Sequence, residues 1–280
     1  MNRQLAFVLG GGGARGALQV GALQALLEAG FRPDLLVGTS AGAVNAAFLA
    51  LHGFTRNSLK RLVSAWRDAS NADLLPANYL WLTARALLGR PLADPAQHMR
   101  DFFIAHGLAP GLCFADIQTT HLILVAADMN TGQPILYGQD HSDNLLEGVL
   151  ASTALPPWMA PIRKDGRLLV DGGAVSNLPV EPALVAGATE IIALDLADPR
   201  DVPTGDHGFG PFLGKLIYTV EQRQQDLELA LAAAQGVPVT PLHLQGSDPV
   251  ALWDFQHADA LIAQGYQLAR QEVEKQPSRA

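Results

Sequence analysis

Cysteine is almost absent: Cys113 stands alone in 280 residues. One thiol excludes an internal disulfide framework and a cysteine-rich zinc site. It reads as a buried or neutral structural residue in a reducing compartment. No His, Cys and carboxylate cluster has metal-ligand spacing, so neither a metal nor a cofactor is expected. Charge is scarce as well. Charged residues make up 16% of the chain, and the formal net charge is −8. No basic stretch offers a counter-charge to phosphates, which argues against nucleic acid as a partner. Long apolar runs are missing too. The run Leu5-Ala6-Phe7-Val8-Leu9 stops at the glycines that follow, short of the about 7–15 residues of a secretory apolar region. Nothing approaches the roughly 18–20 uninterrupted apolar residues that cross a bilayer. A cytoplasmic location is the expectation.

Apolar residues are abundant, at 49%, enough for a sizeable core. They fall into alternating strand and helix patterns. Leu5–Leu9 reads as a buried strand, 17–29 as a helix with Leu18, Ala22 and Leu26 on one face, and Leu35–Val37 as a second strand. Strand, helix, strand makes a βαβ unit, so these two strands are parallel and end at the same sheet edge. A helix at 41–51 follows, then a largely helical region from Arg56 to about Gly107. Strands return at 121–127 and 134–137, joined as a hairpin, and again at 167–170, 190–194 and 239–244. Helices are read at 144–152, 180–186, 211–234 and 254–274. The fold class is α/β with a mostly parallel central sheet. No polar linker divides the chain. Residues 5–196 read as a core, and 197–280 as an extension packed on the same domain.

Two glycine-rich turns interrupt this order at the shared edge. Gly38-Thr39-Ser40-Ala41-Gly42 lies between a strand and a helix, the setting of a nucleophile elbow. The turn lifts a serine oxygen out of the sheet and aims a helix N-terminus at it. Gly11-Gly12-Gly13-Ala14-Arg15-Gly16 follows the first strand, where successive backbone N–H groups converge on an anion. A dinucleotide site would need an acid at the end of the second strand to hold a ribose. Ser40 stands there instead, and Asp34 lies at the strand's beginning. No Gly-Lys-Ser/Thr of a phosphate-binding P-loop follows. An oxyanion hole is therefore favoured over a nucleotide cradle. A third turn, Asp171-Gly172-Gly173, sits after the strand Leu168-Leu169-Val170.

In this order the three motifs resemble those of the patatin-like phospholipase family. Ala151-Ser152-Thr153-Ala154-Leu155-Pro156 is similar to a further block of that family, as are the Asn-Leu-Pro after Asp171 and the strand near 187–196. The resemblance implies a three-layer α/β/α sandwich and a Ser-Asp dyad without histidine. On it, Ser40 is the nucleophile, Asp171 the base, and the N–H groups of Gly11, Gly12 and Gly13 the oxyanion hole. It also implies acyl-serine chemistry on lipid esters of the phospholipase A or lysophospholipase type. A soluble carboxylesterase or thioesterase using the same dyad is the alternative, as is a catalytically idle binding module.

His243 and His257 follow Asp171 in the chain order of an α/β-hydrolase triad. That fold sets several strands ahead of its elbow and this chain has one, so both histidines read as structural. Arg15 reads as a structural partner of a carboxylate, with an anionic head group as the other reading. Tyr79–Leu82, Leu87-Leu88 and the stretch 209–217 are apolar outside the sheet. Core packing is the preferred reading there, against an acyl groove or peripheral contact with a membrane.

Overall fold

The computed structural model describes residues 3–72, 74, 93–156, 158–196 and 209–275. Its centre is β1 (Leu5–Leu9), buried throughout as an interior parallel strand should be. On one side β1 pairs in parallel with β2 (Leu35–Thr39), and β2 with β3 (His121–Asp128). On the other it pairs in parallel with β7 (Glu190–Asp195), and β7 with β8 (Val239–His243). Beyond β3 the sheet turns antiparallel: β3 pairs with β4 (Gln133–Tyr137) and β6 (Arg167–Asp171), and β6 with β5 (Ile162–Lys164).

The sequence reading has no strand at Ile162–Lys164. Asp165-Gly166 forms the two-residue turn of that hairpin, both residues at positive φ (49° and 76°), as a hairpin of this kind requires. The Asp-Gly pair was a usable signal. Its short, half-exposed strand gave little apolar pattern to go with it.

Alternation along the strands sorts two apolar layers. Phe7, Leu9, Leu36, Leu124 and Leu194 face one side, and Ala6, Val8, Val37, Val125 and Ala193 the other. The first layer is covered by α1 (Gly16–Glu28), α2 (Ala41–His52), α3 (Arg56–Asn71), α5 (Leu145–Ser152) and α8 (Ala258–Glu274). The second packs on α6 (Val180–Val185) and α7 (Phe209–Ala234). This is an α/β fold with helices on both faces of the sheet. Helix α1 buries more than the single face its spacing suggests: Val20, Leu23 and Leu27 are buried along with Leu18 and Leu26. It packs on α8 and shares one apolar core with the sheet. Gly21 and Gly265 make that approach close.

Candidate active site

Two strands reach the same edge of β3 from opposite directions. Residues 124 and 125 of β3 pair with both β2 and β4, and residues 126–128 with both β4 and β6. A strand has two edges, so β2 and β6 share the one that β4 does not occupy. Parallel β2 stops at Thr39 opposite Val125, and antiparallel β6 stops at Asp171 opposite Ala126. The residues that follow Thr39 and end β6 therefore meet, although 131 positions separate Ser40 from Asp171 in the chain.

Ser40 has φ 55° and ψ −123°, a left-handed conformation that costs about 1–3 kcal/mol in a non-glycine residue. Its backbone is held from both sides. The N–H donates to the fully buried Ser152 Oγ at 3.0 Å. The carbonyl accepts the Ala43 N–H at 2.9 Å, the first bond of α2. At Gly42 a Cβ would fall onto the Leu9 carbonyl, so only glycine lets the helix start this close to the sheet.

Asp171 is buried, at 5% exposure. Its Oδ1 accepts the Gly173 N–H at 2.8 Å, while Oδ2 makes no hydrogen bond of ordinary geometry. Burial pushes the carboxyl up to about 6, against the Ser40 hydroxyl and the Gly173 N–H, which both favour the ionised form. The Ser40 hydroxyl is thus near enough to act on Asp171 without a made hydrogen bond. A carboxylate poised near 6 is a far better base than one at its usual value.

In the glycine loop, some N–H groups are used by the fold and others make no backbone bond. Gly10 donates to the Leu194 carbonyl at 3.2 Å, Gly11 to Asn177 O at 3.0 Å and Ala14 to Leu252 O at 2.8 Å. Among the described residues, Gly12 and Gly13 donate to no backbone carbonyl. Gly13 takes φ 56° with the Leu252 backbone where a Cβ would stand. The Arg15 guanidinium folds back on the Gly12 carbonyl at 3.3 Å. Beneath the loop lies a buried polar chain. Gln19 donates to Gly10 O (2.9 Å), Asn45 to Gly16 O and to Gln19 (both 3.0 Å), and the Trp66 indole to Asn45 (2.9 Å).

Ser40 and Asp171 line a cavity that opens to solvent. Val44 and Phe48 of α2, Leu62 and Trp66 of α3, and Phe103 of α4 (Ala93–Ala105) give it apolar walls, and Leu252 and Phe255 close it from the C-terminal segment. His106 also lines it, but both ring nitrogens are engaged, one with the Phe102 carbonyl (2.8 Å) and one with Asp68 (3.2 Å). His243 and His257 are away from the cavity, mostly exposed, and paired with Asp195 (3.0 Å) and Asp254 (3.3 Å). Cys113 is half-buried and free. Among the described residues no group of His, Cys, Asp or Glu is arranged to hold a metal ion, and no helix is long and apolar enough to cross a membrane. Tyr79–Leu82 and Leu87-Leu88 lie outside the described residues. Leu216 and Ile217 are half-exposed, which overturns core packing for that end of the 209–217 stretch.

A family model for patatin-like phospholipase matches residues 7–184. The chain belongs to the patatin-like phospholipase family. Patatin-like phospholipase domain-containing protein 7 of Rattus norvegicus is 31% identical over 209 residues, which is 73% of this chain and 14% of that protein. Lysophospholipase NTE1 of Cryptococcus neoformans is 27% identical over 301 residues, 98% of this chain and 17% of its own length. The chain thus spans under a fifth of these relatives. The crystal structure of VipD from Legionella pneumophila matches with a TM-score of 0.53 at 13% identity, covering 98% of this chain and 67% of that one. That likeness concerns the fold alone.

Several residues that build the site were not singled out from the sequence. Ser152 and Asn177 lie in blocks that resemble the patatin-like family, but nothing in their spacing gives them a partner. Gln19 and Asn45 are polar residues inside apolar helices, fully buried, and a polar residue on a buried face is the signal that would have marked them. Leu252 and Phe255 fall outside the matched region.

Proposed function

We propose that this patatin-like chain is a serine acyl hydrolase that cleaves lipid acyl esters through Ser40 and Asp171. The observation that carries the reading is the strained Ser40 beside a buried carboxylate at the opening of an apolar cavity. Asp171 takes the hydroxyl proton through its free Oδ2 as Ser40 Oγ attacks the ester carbonyl. Charge that develops on the carbonyl oxygen is met by the N–H groups of Gly12 and Gly13. Gly11 contributes by fixing the loop, since its own N–H is committed to Asn177. The C–O bond to the alcohol then breaks, and that alcohol leaves with the proton held on Asp171. Water, deprotonated by Asp171, attacks the acyl-serine, releases the fatty acid and returns the proton to Ser40 Oγ.

Two physical points favour an acyl substrate. An apolar chain gains from leaving water, at about 0.8 kcal/mol per buried CH₂, and the cavity beside Ser40 has mainly apolar walls. Oxyanion donors are worth most in such a water-poor site, roughly 2.7–4 kcal/mol for one donor. A lysophospholipid suits this arrangement, with its one chain in the cavity and its polar head toward the mouth. The relative named a lysophospholipase agrees with that choice. The test is hydrolysis of a lipid panel, with Ser40→Ala as the blank. Release of fatty acid by the wild-type chain, lost at least about 10³-fold in the variant, is expected. Equal release by both would end the serine reading.

A further inference from the structure

One buried acid has no part in the reaction just described. Glu228 of α7 is 6% exposed, and burial pushes its carboxyl up to about 7. An ionisable group is costly to bury unless its oxygens are fully used. Both are used here. Oε1 accepts the Ser176 hydroxyl at 2.6 Å, and Oε2 accepts the Glu181 N–H at 2.7 Å, in the first turn of α6.

The bond to Glu181 caps a short helix and explains half of the arrangement. The bond to Ser176 leads to the site. The Ser176 N–H donates to Gly172 O at 2.9 Å and so closes the turn that begins at Asp171. The Ser176 carbonyl accepts the Thr39 hydroxyl at 2.9 Å, one residue before Ser40. Asn177, next in the chain, holds the Gly11 N–H. Base turn, nucleophile strand and glycine loop are therefore tied at one joint. From the same helix, Gln224 donates to the Ala174 carbonyl at 3.1 Å, a second grip on the segment.

We propose that Glu228 is a positioning residue: through Ser176 it fixes the Asp171 turn against the Ser40 strand. The proposal rests on the hydrolase reading above. It adds a residue from a helix beyond the part of the chain that matches the family.

The experiment compares Glu228→Ala, Glu228→Gln, Ser176→Ala and the Glu228→Ala/Ser176→Ala double variant on a p-nitrophenyl ester, in the full chain. Active sites are counted by a fluorophosphonate adduct in intact-mass spectra, so kcat refers to folded, competent protein. Glu228→Ala is expected to lower kcat per labelled site about tenfold, a loss of near-attack geometry, with KM within about twofold. Glu228→Gln recovers most of it, because the amide can accept from Glu181 N–H and donate to the Ser176 oxygen. Ser176→Ala matches Glu228→Ala, and the double variant loses no more than either. Where Glu228→Ala fails to fold, Ser176→Ala carries the test, since it keeps the cap on α6. An unchanged kcat per labelled site, or losses that multiply in the double variant, overturns the proposal alone. A wild-type chain that neither labels nor hydrolyses overturns the hydrolase reading with it.

Discussion

Residues 7–184 and the chain beyond them make different contributions to one site. The part that matches the family holds Ser40, Asp171 and the glycine loop. Everything proposed to change bonding or carry developing charge is there. The later part holds no residue to which a reacting atom is assigned in that proposal. It supplies Leu252 and Phe255 to the cavity wall, the Leu252 carbonyl to the loop, and Glu228 and Gln224 behind the base turn. The difference teaches where each property is set. On the proposed reading, chemistry belongs to the sheet edge where β2 and β6 meet, and fit to the elements laid over it.

That division can be tested along the seam. Gly13→Ala is expected to have the largest effect of three, because its Cβ would displace the Leu252 backbone. It should lower kcat about 10²-fold on short and long esters alike, the scale of losing one oxyanion donor. Steady-state kinetics on a butyryl and a palmitoyl ester would check it, and a loss confined to the long ester would blur the division.

Phe255→Ala comes next. It removes wall and leaves the sheet edge intact, so KM for the palmitoyl ester should rise about tenfold, as pocket contacts of this kind do. The butyryl ester should be unaffected. An equal loss on both would make the C-terminal segment part of the chemistry.

The smallest effect is one of stability. The Asp171 carboxyl is raised from 3.8 to about 6 in the fold, so between these values the folded chain holds a proton that the unfolded chain releases. Stability therefore falls as pH rises through that window, by about 3 kcal/mol in all. Asp171→Asn keeps an acceptor for Gly173 N–H and escapes the penalty. Its melting temperature should exceed wild type by several degrees at pH 8, and the gain should vanish near pH 4. A variant less stable at pH 8 would show that the charge contributes to the fold.

Much of the sheet edge was legible in the sequence because glycines are informative there. Gly42 and Gly13 are small for reasons of close approach and backbone angle, and those demands survive as a spelled motif. The βαβ pattern then placed two of the three turns together. What brought Asp171 to Ser40 was β6 meeting the β2 edge of β3 head-on, which no local pattern encodes. The sequence reading singled out the Asp171 turn, but its role as partner of Ser40 came only through family resemblance. The cavity wall was less legible. Leu252 and Phe255 look like any apolar residues in a loop, and Glu228 like any acid on an exposed helix. The Gly11 N–H shows the opposite limit: its motif points at an anion, while its partner is a carbonyl of the chain.

The central claim is that Asp171, and no histidine, activates Ser40. The direct measurement is the rate of Ser40 labelling by a fluorophosphonate against pH, in wild type, Asp171→Asn and His243→Ala. The wild-type rate should rise through about pH 6 and level off above it. His243→Ala should overlay it, and Asp171→Asn should stay at least about 10²-fold lower, the scale of a lost general base, without that rise. Full labelling in Asp171→Asn, with loss in His243→Ala, would contradict the account.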